Sequence, residues 1–254
     1  MGILFKCTTK EGYMFKILGE ILHNTLKTVN ISINKNGIFS KMMDNHKKFL
    51  INIEMPAKNF GNYLCETTLL FGLHIGHFYK IISSVKKKDI ITLLIEEDNP
   101  NELQIIVTPR ERDHTEVSKI NIQNIQSIDI DVPNSYDHPI HVSSTKFQKM
   151  CKDMLNIGKE VNVYGDNNCV IFECETPGIY RKKICFGNDG STEENCLKTI
   201  YKYNFESEQL VKISKISSLG NILYIYLDGS LPLLINSNIG SLGSISIFMK
   251  SSQI

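Results

Sequence analysis

Lysine is the residue type whose spacing in this chain could do chemistry. In the stretch QLVKISKISSLGNILYIYLDG, from Gln209 to Gly229, Lys212 and Lys215 stand three residues apart. Lys146, Lys149 and Lys152 repeat at the same step, Lys16 is followed by His23 and Lys27, and Lys80 precedes the run Lys86-Lys87-Lys88. Steps of three and four residues put side chains on one face of a helix. Ammonium groups in a row suit phosphate backbones rather than base edges. Stacking on single strands would need exposed aromatic rings, but Phe15, Phe78 and Phe147 fall on the opposite, apolar sides of the same helices. The expected contact is non-specific, with a duplex backbone.

Other chemistries are poorly served. His74 and His77 lie three apart, but no third ligand follows at metal-binding spacing, so both are expected to be structural. The seven cysteines, at 7, 65, 151, 169, 174, 185 and 196, form no Cys-x-x-Cys pair. An odd, scattered set reads as reduced intracellular thiols, not as a disulfide framework or zinc site. No Walker loop and no Gly-x-Ser-x-Gly motif occurs. The Gly-rich NIGSLGS from Asn238 precedes a strand and is unsuited to cradling phosphate. No catalytic residue, metal or cofactor is expected. A nucleic-acid-modifying enzyme using a Cys or His stands as the reading from another class.

The elements that must position the lysines follow from periodicity. In a first helix Phe15, Leu18, Leu22 and Leu26 make the apolar stripe, with Lys16, His23 and Lys27 opposite and Glu20 among them. In a second, Phe78, Ile81, Ile82 and Val85 are apolar, with His77, Lys80 and Ser84 opposite. In a third, Phe147, Met150, Cys151, Met154 and Leu155 oppose Lys146, Lys149 and Lys152, with Asp153 nearby. In a fourth, Leu210, Ile213 and Ser217 face inward, away from Lys212 and Lys215. Solvated helix faces carry lysine as a good helix former, but usually mix it with acids a turn away. These faces carry few acids, although the chain holds 28 basic and 27 acidic residues. The acids collect in turns such as Glu96-Glu97-Asp98 and Glu193-Glu194. That segregation predicts one basic surface built from all four helices.

The chain also repeats itself. Phe15 and Phe147, VNISINKNGIF from Val29 and VNVYGDNNCVIF from Val161, and YKI from Tyr79 and VKI from Val211 are each separated by 132 residues (147 − 15, 161 − 29, 211 − 79). One offset shared by three landmarks predicts two homologous halves, each ordered helix, strands, helix, strands. KTVNISINKNGIFSKM alternates and breaks at Lys35-Asn36-Gly37, a hairpin signal. KKFLINIEM, DIITLLIEED, ELQIIVTP, SKINIQNI and LYIYLDG are further strands, set off by turns such as Asp98-Asn99-Pro100-Asn101. Short strands at regular intervals predict antiparallel sheet. The fold class is α+β: two similar domains, 1–125 and 141–254, each an antiparallel sheet covered by two helices, joined by a loop over 126–140. In that loop Ile128, Ile130 and Val132 alternate with Asp129 and Asp131, so one side can lie on an apolar surface; it reads as a crossover.

With 42% hydrophobic and 22% charged residues, the composition fits a soluble protein with a real core. A net charge of +1 names no partner, so any basic surface must come from arrangement. MGILFKCTTKEGYMF lacks the apolar core of a secretory leader, Lys6 stands where a myristoylation motif wants Ser or Thr, and no apolar run is long enough to span a bilayer.

The order of these segments resembles the eukaryotic-type DNA sliding clamp, the proliferating cell nuclear antigen family. GIFSKMMDNHKKFLINI, YLCETTLLFGLHIGHFYKII, DIITLLIEEDN, FQKMCKDMLNIG and LPLLINSNIGSLGSISIFM are similar to family segments in collinear order. The resemblance implies DNA-clamp domains, six of them closing as a homotrimeric ring around duplex DNA. It implies a processivity factor, not an enzyme, with helices lining the hole. The implied DNA-binding residues are Lys16, His23, Lys27, Lys80, Lys149, Lys152, Lys212 and Lys215. The implied partner-peptide pocket is Met43, Lys47, Leu50, Ile130, Val132, Pro232 and Phe248, where DNA polymerase, ligase, nuclease and clamp loader would dock by short peptides. The implied subunit interface pairs a strand near Glu116–Asn121, with Ser118 and Ile120, to one near Ile179–Phe186, with Tyr180, Lys182 and Ile184. The implied place of work is the nucleus or a viral replication site. Within the fold, a monomeric or heterotrimeric clamp-like factor is the alternative.

The chain departs from the family pattern in places. Lys47 replaces the usual pocket histidine, and Lys250 stands where a small residue is common. Ile17 and His23 take positions often held by lysine, and Asn167 sits where a modifiable loop lysine is known.

Overall fold

The computed structural model describes residues 2–111, 113–125, 130–133, 135–166, 168–187 and 201–251. Ile128, Asp129, Asn167, Glu193, Glu194 and Cys196, which entered the sequence reading, lie outside them. The chain forms two compact units that are not consecutive stretches. The first comprises 1–42, 51–130 and 238–245; the second comprises 43–50, 131–237 and 246–254.

The first run of elements is β1 (Ile3–Thr9), α1 (Gly12–Thr25), β2 (Thr28–Asn34), β3 (Gly37–Met43), β4 (Phe49–Pro56), β5 (Asn62–Cys65), β6 (Leu69–His74), α2 (Ile75–Ile82), β7 (Ile90–Glu96), β8 (Glu102–Thr108), β9 (Glu116–Asn121) and β10 (Gln123–Asn124). One sheet has the order β5-β1-β7-β8-β9, and a second run of neighbouring strands is β10-β6-β2-β3-β4. The hairpin read from Asn36-Gly37 is present: Asn34 pairs with Gly37 and Ile33 with Ile38 across a two-residue loop. Gly37 adopts φ 150, and a Cβ there would meet the Met55 carbonyl oxygen at 2.3 Å. Glycine is therefore required on both counts. The strands alternate as half-buried strands should; in β7, Ile91, Leu93 and Ile95 point inward. Helix α1 packs on α2 at Gly19, where a Cβ would lie 2.6 Å from Ile82 Cδ1.

The second run is β11 (Ile140–Ser143), α3 (Ser144–Ile157), β12 (Glu160–Gly165), β13 (Cys169–Thr176), β14 (Tyr180–Gly187), β15 (Tyr201–Glu206), α4 (Ser207–Ile213), β16 (Ile222–Tyr226), β17 (Leu233–Ile239) and β18 (Gly243–Met249). One sheet has the order β14-β13-β12-β15, and the other neighbouring strands run β18-β17-β16-β11. Phe147 of α3 meets Phe172 of β13 edge to face at 6.2 Å, and Phe172 meets Phe186 at 6.0 Å, forming an aromatic core. Helix α4 starts with a capping box between Glu206 and Gln209.

The repeat holds element by element. Helices α1 and α3 start at 12 and 144, α2 and α4 at 75 and 207, and β2 and β12 at 28 and 160; each pair differs by 132. Among the described residues no helix is long and apolar enough to cross a membrane. The thiols depart from expectation at one position. Cys7, Cys65, Cys151, Cys174 and Cys185 are free, but Cys169 is disulfide-bonded.

Candidate functional site

In the first unit, the apolar stripe of α1 buries Phe15, Leu18, Ile21 and Leu22. His23 and Lys27 are exposed, as is Lys80 on α2. Lys16 is half-buried, and its ammonium group donates to the Val85 carbonyl at 3.3 Å. Its Nζ also lies 5.6 Å from the centre of the Tyr13 ring, and Lys87 Nζ approaches the same ring at 5.9 Å. His23 stacks on Tyr79 with ring centres 5.3 Å apart. His74 and His77 have the structural role expected: His74 Nδ1 accepts the His77 N–H at 3.4 Å and caps α2. Ile17 is only 1% exposed and belongs to the core. One reading needs correction: Ile81, expected in the buried stripe of the second helix, is half-buried.

In the second unit, α3 buries Phe147, Met150, Cys151 and Met154 and exposes Lys146, Lys149 and Lys152. Leu155, expected inside, is 41% exposed. At ~100° per residue it lies well round the helix from Phe147. Asp153, on the same helix, accepts a hydrogen bond from Lys182 Nζ at 2.5 Å. Helix α4 is shorter than the sequence pattern implied. It ends at Ile213, and Lys215 stands on the following 3-10 turn, Ser214–Ser218, half-buried. Lys212 is exposed.

The second unit also holds an apolar cavity of about 360 Å³. It is lined by Met43, Lys47, Leu50, Pro232 and Phe248, five of the seven residues expected to meet there. Ile130 and Val132 do not line it; Asp131 and Pro133 do. Alternate residues of an extended segment face opposite ways, so the linker presents the other parity to the cavity. Tyr201 and Tyr203 complete the wall and were missed by sequence reasoning. Their signal was the alternation of Tyr201, Tyr203 and Phe205 along β15. Tyr136 braces the site: its hydroxyl donates to the Pro232 carbonyl at 2.7 Å, and its ring lies 6.1 Å from that of Phe248. Burial pushes the hydroxyls of Tyr136 and Tyr201 far above the ordinary tyrosine pKa, so both stay neutral donors.

Burial raises the Cys7 and Cys151 thiols well above their usual pKa, the opposite of an activated nucleophile. Among the described residues no three His, Cys, Asp or Glu side chains are grouped to hold a metal.

Two consecutive domain families account for this layout. The N-terminal domain of proliferating cell nuclear antigen matches residues 4–133, and its C-terminal domain matches residues 131–252. The chain belongs to the proliferating cell nuclear antigen family. It is 25% identical to the probable DNA polymerase sliding clamp 1 of Paramecium bursaria Chlorella virus 1, over 96% of this chain and 95% of that protein. It is 27% identical to proliferating cell nuclear antigen 2 of Plasmodium falciparum, over 92% of this chain and 90% of that protein. The crystal structure of proliferating cellular nuclear antigen from Entamoeba histolytica shares the fold with a TM-score of 0.84 at 18% identity, covering 98% of this chain and 99% of that one. The α+β fold of two similar domains, read from the repeat, is thus the family's own.

Two strands named in the sequence reading lie at sheet ends. Among the described residues, β9 lies at one end of its sheet and pairs with β8, Ser118 opposite Ile105 and Ile120 opposite Leu103. Among the same residues, β14 lies at one end of the other and pairs with β13, Tyr180 opposite Thr176 and Ile184 opposite Phe172. The large apolar groups they expose are Val117, 55% exposed, and Tyr180, 53% exposed; Ile179, 83% exposed, stands in the turn before β14. Ile120 is buried, Ile184 half-buried, and Lys182 is engaged by Asp153.

Proposed function

We propose that this chain is a DNA sliding clamp, a processivity factor that closes as a homotrimer around duplex DNA. The observation that carries the reading is the repeat itself. Both compact units belong to the clamp family, and each turns a lysine-bearing helix pair outward from its apolar core. Lysines held on rigid helices favour weak, sequence-independent phosphate contacts that permit sliding. Lys16, His23, Lys27, Lys80, Lys149, Lys152, Lys212 and Lys215 supply these contacts. β9 of one subunit adds to β14 of the next, covering two edges that invite pairing. The cavity at Met43, Leu50, Pro232 and Phe248 receives apolar and aromatic plugs of short peptides from polymerase, ligase, nuclease and clamp loader. The protein works where DNA is copied, in a nucleus or a viral replication site.

The test is solution mass by light scattering, combined with a primer-extension assay on primed circular DNA. A trimer that lengthens polymerase products supports the clamp. A monomer at every concentration removes the self-closing ring and leaves a clamp-like factor that holds DNA by charge.

A further inference from the structure

The lip of the cavity is charged in a way that its apolar floor does not explain. Lys47, Lys48 and Lys250 all line it. Lys48 is neutralised by Glu206, with Nζ 2.6 Å from Oε1. Among the described residues, Lys47 and Lys250 have no ion-pair partner. Lys47 is held in place by its backbone. It has φ 55, the single non-glycine residue with positive φ among those described. That conformation is uncommon for a side chain with a Cβ and persists where surrounding contacts enforce it. Here Asp44 enforces it. Its carboxylate, 8% exposed, accepts the N–H groups of Lys48 at 2.6 Å, Phe49 at 2.7 Å and His46 at 3.2 Å. Its carbonyl accepts the Lys47 N–H at 2.9 Å. Lys250 is fixed beside this turn by its own N–H, which donates to the Lys48 carbonyl at 2.9 Å.

One carboxylate also lines the cavity, that of Asp131, and the lining Ser230 gives its N–H and hydroxyl to Asp228, both at 2.7 Å. The lining therefore combines two ammonium groups without an ion-pair partner among the described residues, one carboxylate and an apolar floor. A purely aliphatic or basic ligand would leave the Lys47 and Lys250 charges unanswered, and a nucleic-acid backbone would leave the floor empty.

We propose that Lys47 and Lys250 form a carboxylate-recognition lip, and that the cavity selects peptides carrying an acidic side chain beside their apolar plug. This rests on the reading of the cavity as a peptide-docking site. Fluorescence polarisation on the full chain tests it, with three short peptides sharing an Ile-Phe-Phe plug and flanked by Glu, Gln or Lys. The Glu peptide binds about five-fold more tightly than the Gln peptide, the scale of partly solvated ion pairs, and the Lys peptide binds weakest. Lys47→Glu with Lys250→Glu reverses the order. Met43→Glu, at an exposed position, abolishes binding of all three and locates it in the cavity. Equal or tighter binding of the Lys peptide to the native chain overturns the carboxylate lip while leaving the docking site standing. Binding of none overturns the docking site and the lip together. Loss of duplex DNA binding in the double Glu variant with peptide order unchanged assigns the lysines to nucleic acid and overturns the proposal.

Discussion

Lys182 Nζ lies 2.5 Å from Asp153 Oδ2, tying the terminal strand β14 to helix α3. The pair answers two charges at once. Lys182 is engaged within its own unit, and one acid stands among the lysines of α3. The Lys182 ammonium holds the Asp153 carboxyl below the usual carboxylate pKa. A depressed folded pKa stabilises above the unfolded value, and the contribution is lost as pH falls through the folded one. Asp153→Asn should lower the melting temperature slightly at neutral pH and have no effect at pH values below both pKa values. Lys182→Met in the same background should add nothing further. Independent, additive losses in the two variants would separate the pair.

The lysines of α3 should contribute to DNA binding as counted phosphate contacts. Each phosphate contact released contributes about 0.9 to the slope of log Kobs against log salt. Lys149→Ala with Lys152→Ala should therefore reduce the slope by about two while leaving the melting temperature unchanged, since both side chains are exposed. A native slope in the double variant would remove α3 from the DNA-facing surface.

Tyr13 carries two lysines, Lys16 and Lys87, over one ring at 5.6 and 5.9 Å. Two ammonium groups that share a ring repel each other, and an anion between them relieves the repulsion. The run Lys86-Lys87-Lys88 was visible in the sequence but assigned no role. We expect Lys87→Glu to weaken duplex binding several-fold, more than Lys41→Glu at an exposed position of β3. Tyr13→Phe, which keeps the ring, should bind as the native chain does. Filter binding at fixed salt separates these outcomes; equal effects at Lys87 and Lys41 would mean that only net charge matters.

What the sequence made legible was local. The offset of 132 carried the helix starts at 12 and 144, because hydrophobic period and turn residues are set within a few positions. Asn36-Gly37 announced its hairpin for the same reason. Relations across long separations were not legible. Tyr201 and Met43 share a cavity although 158 positions (201 − 43) divide them. No periodicity shows that segments 43–50 and 238–245 each join the other half's compact unit. Ile17 takes a position often held by lysine in the family pattern. The structure buries it because α1 packs both against sheet and against α2, which widens its apolar arc beyond a simple stripe.

Assembly should depend on the exposed apolar groups of the two terminal strands more than on their charges. Val117→Asp on β9 or Tyr180→Asp on β14 should shift the trimer toward monomer in light scattering. Neither should unfold the chain, because both residues are more than half exposed. Ile120→Ala should instead lower thermal stability, because Ile120 is 7% exposed and packs inward. Trimers that persist in both aspartate variants would place the interface elsewhere.

Asp44 is the residue on which the geometry of the cavity lip turns. Its buried carboxylate satisfies three backbone N–H groups, and replacing it leaves those donors without an acceptor. Unsatisfied buried donors cost about 1–3 kcal/mol. Asp44→Ala should therefore lower stability by about 2 kcal/mol in urea denaturation. Asp44→Asn should lose less, because its remaining oxygen can still accept from Lys48 and Phe49 while its amide cannot accept from His46. Peptide affinity should fall in the same order, since the turn that fixes Lys47 at φ 55 loosens in that order. If Asp44→Ala bound peptide as the native chain does, the left-handed turn would be a packing feature of the loop with no part in recognition.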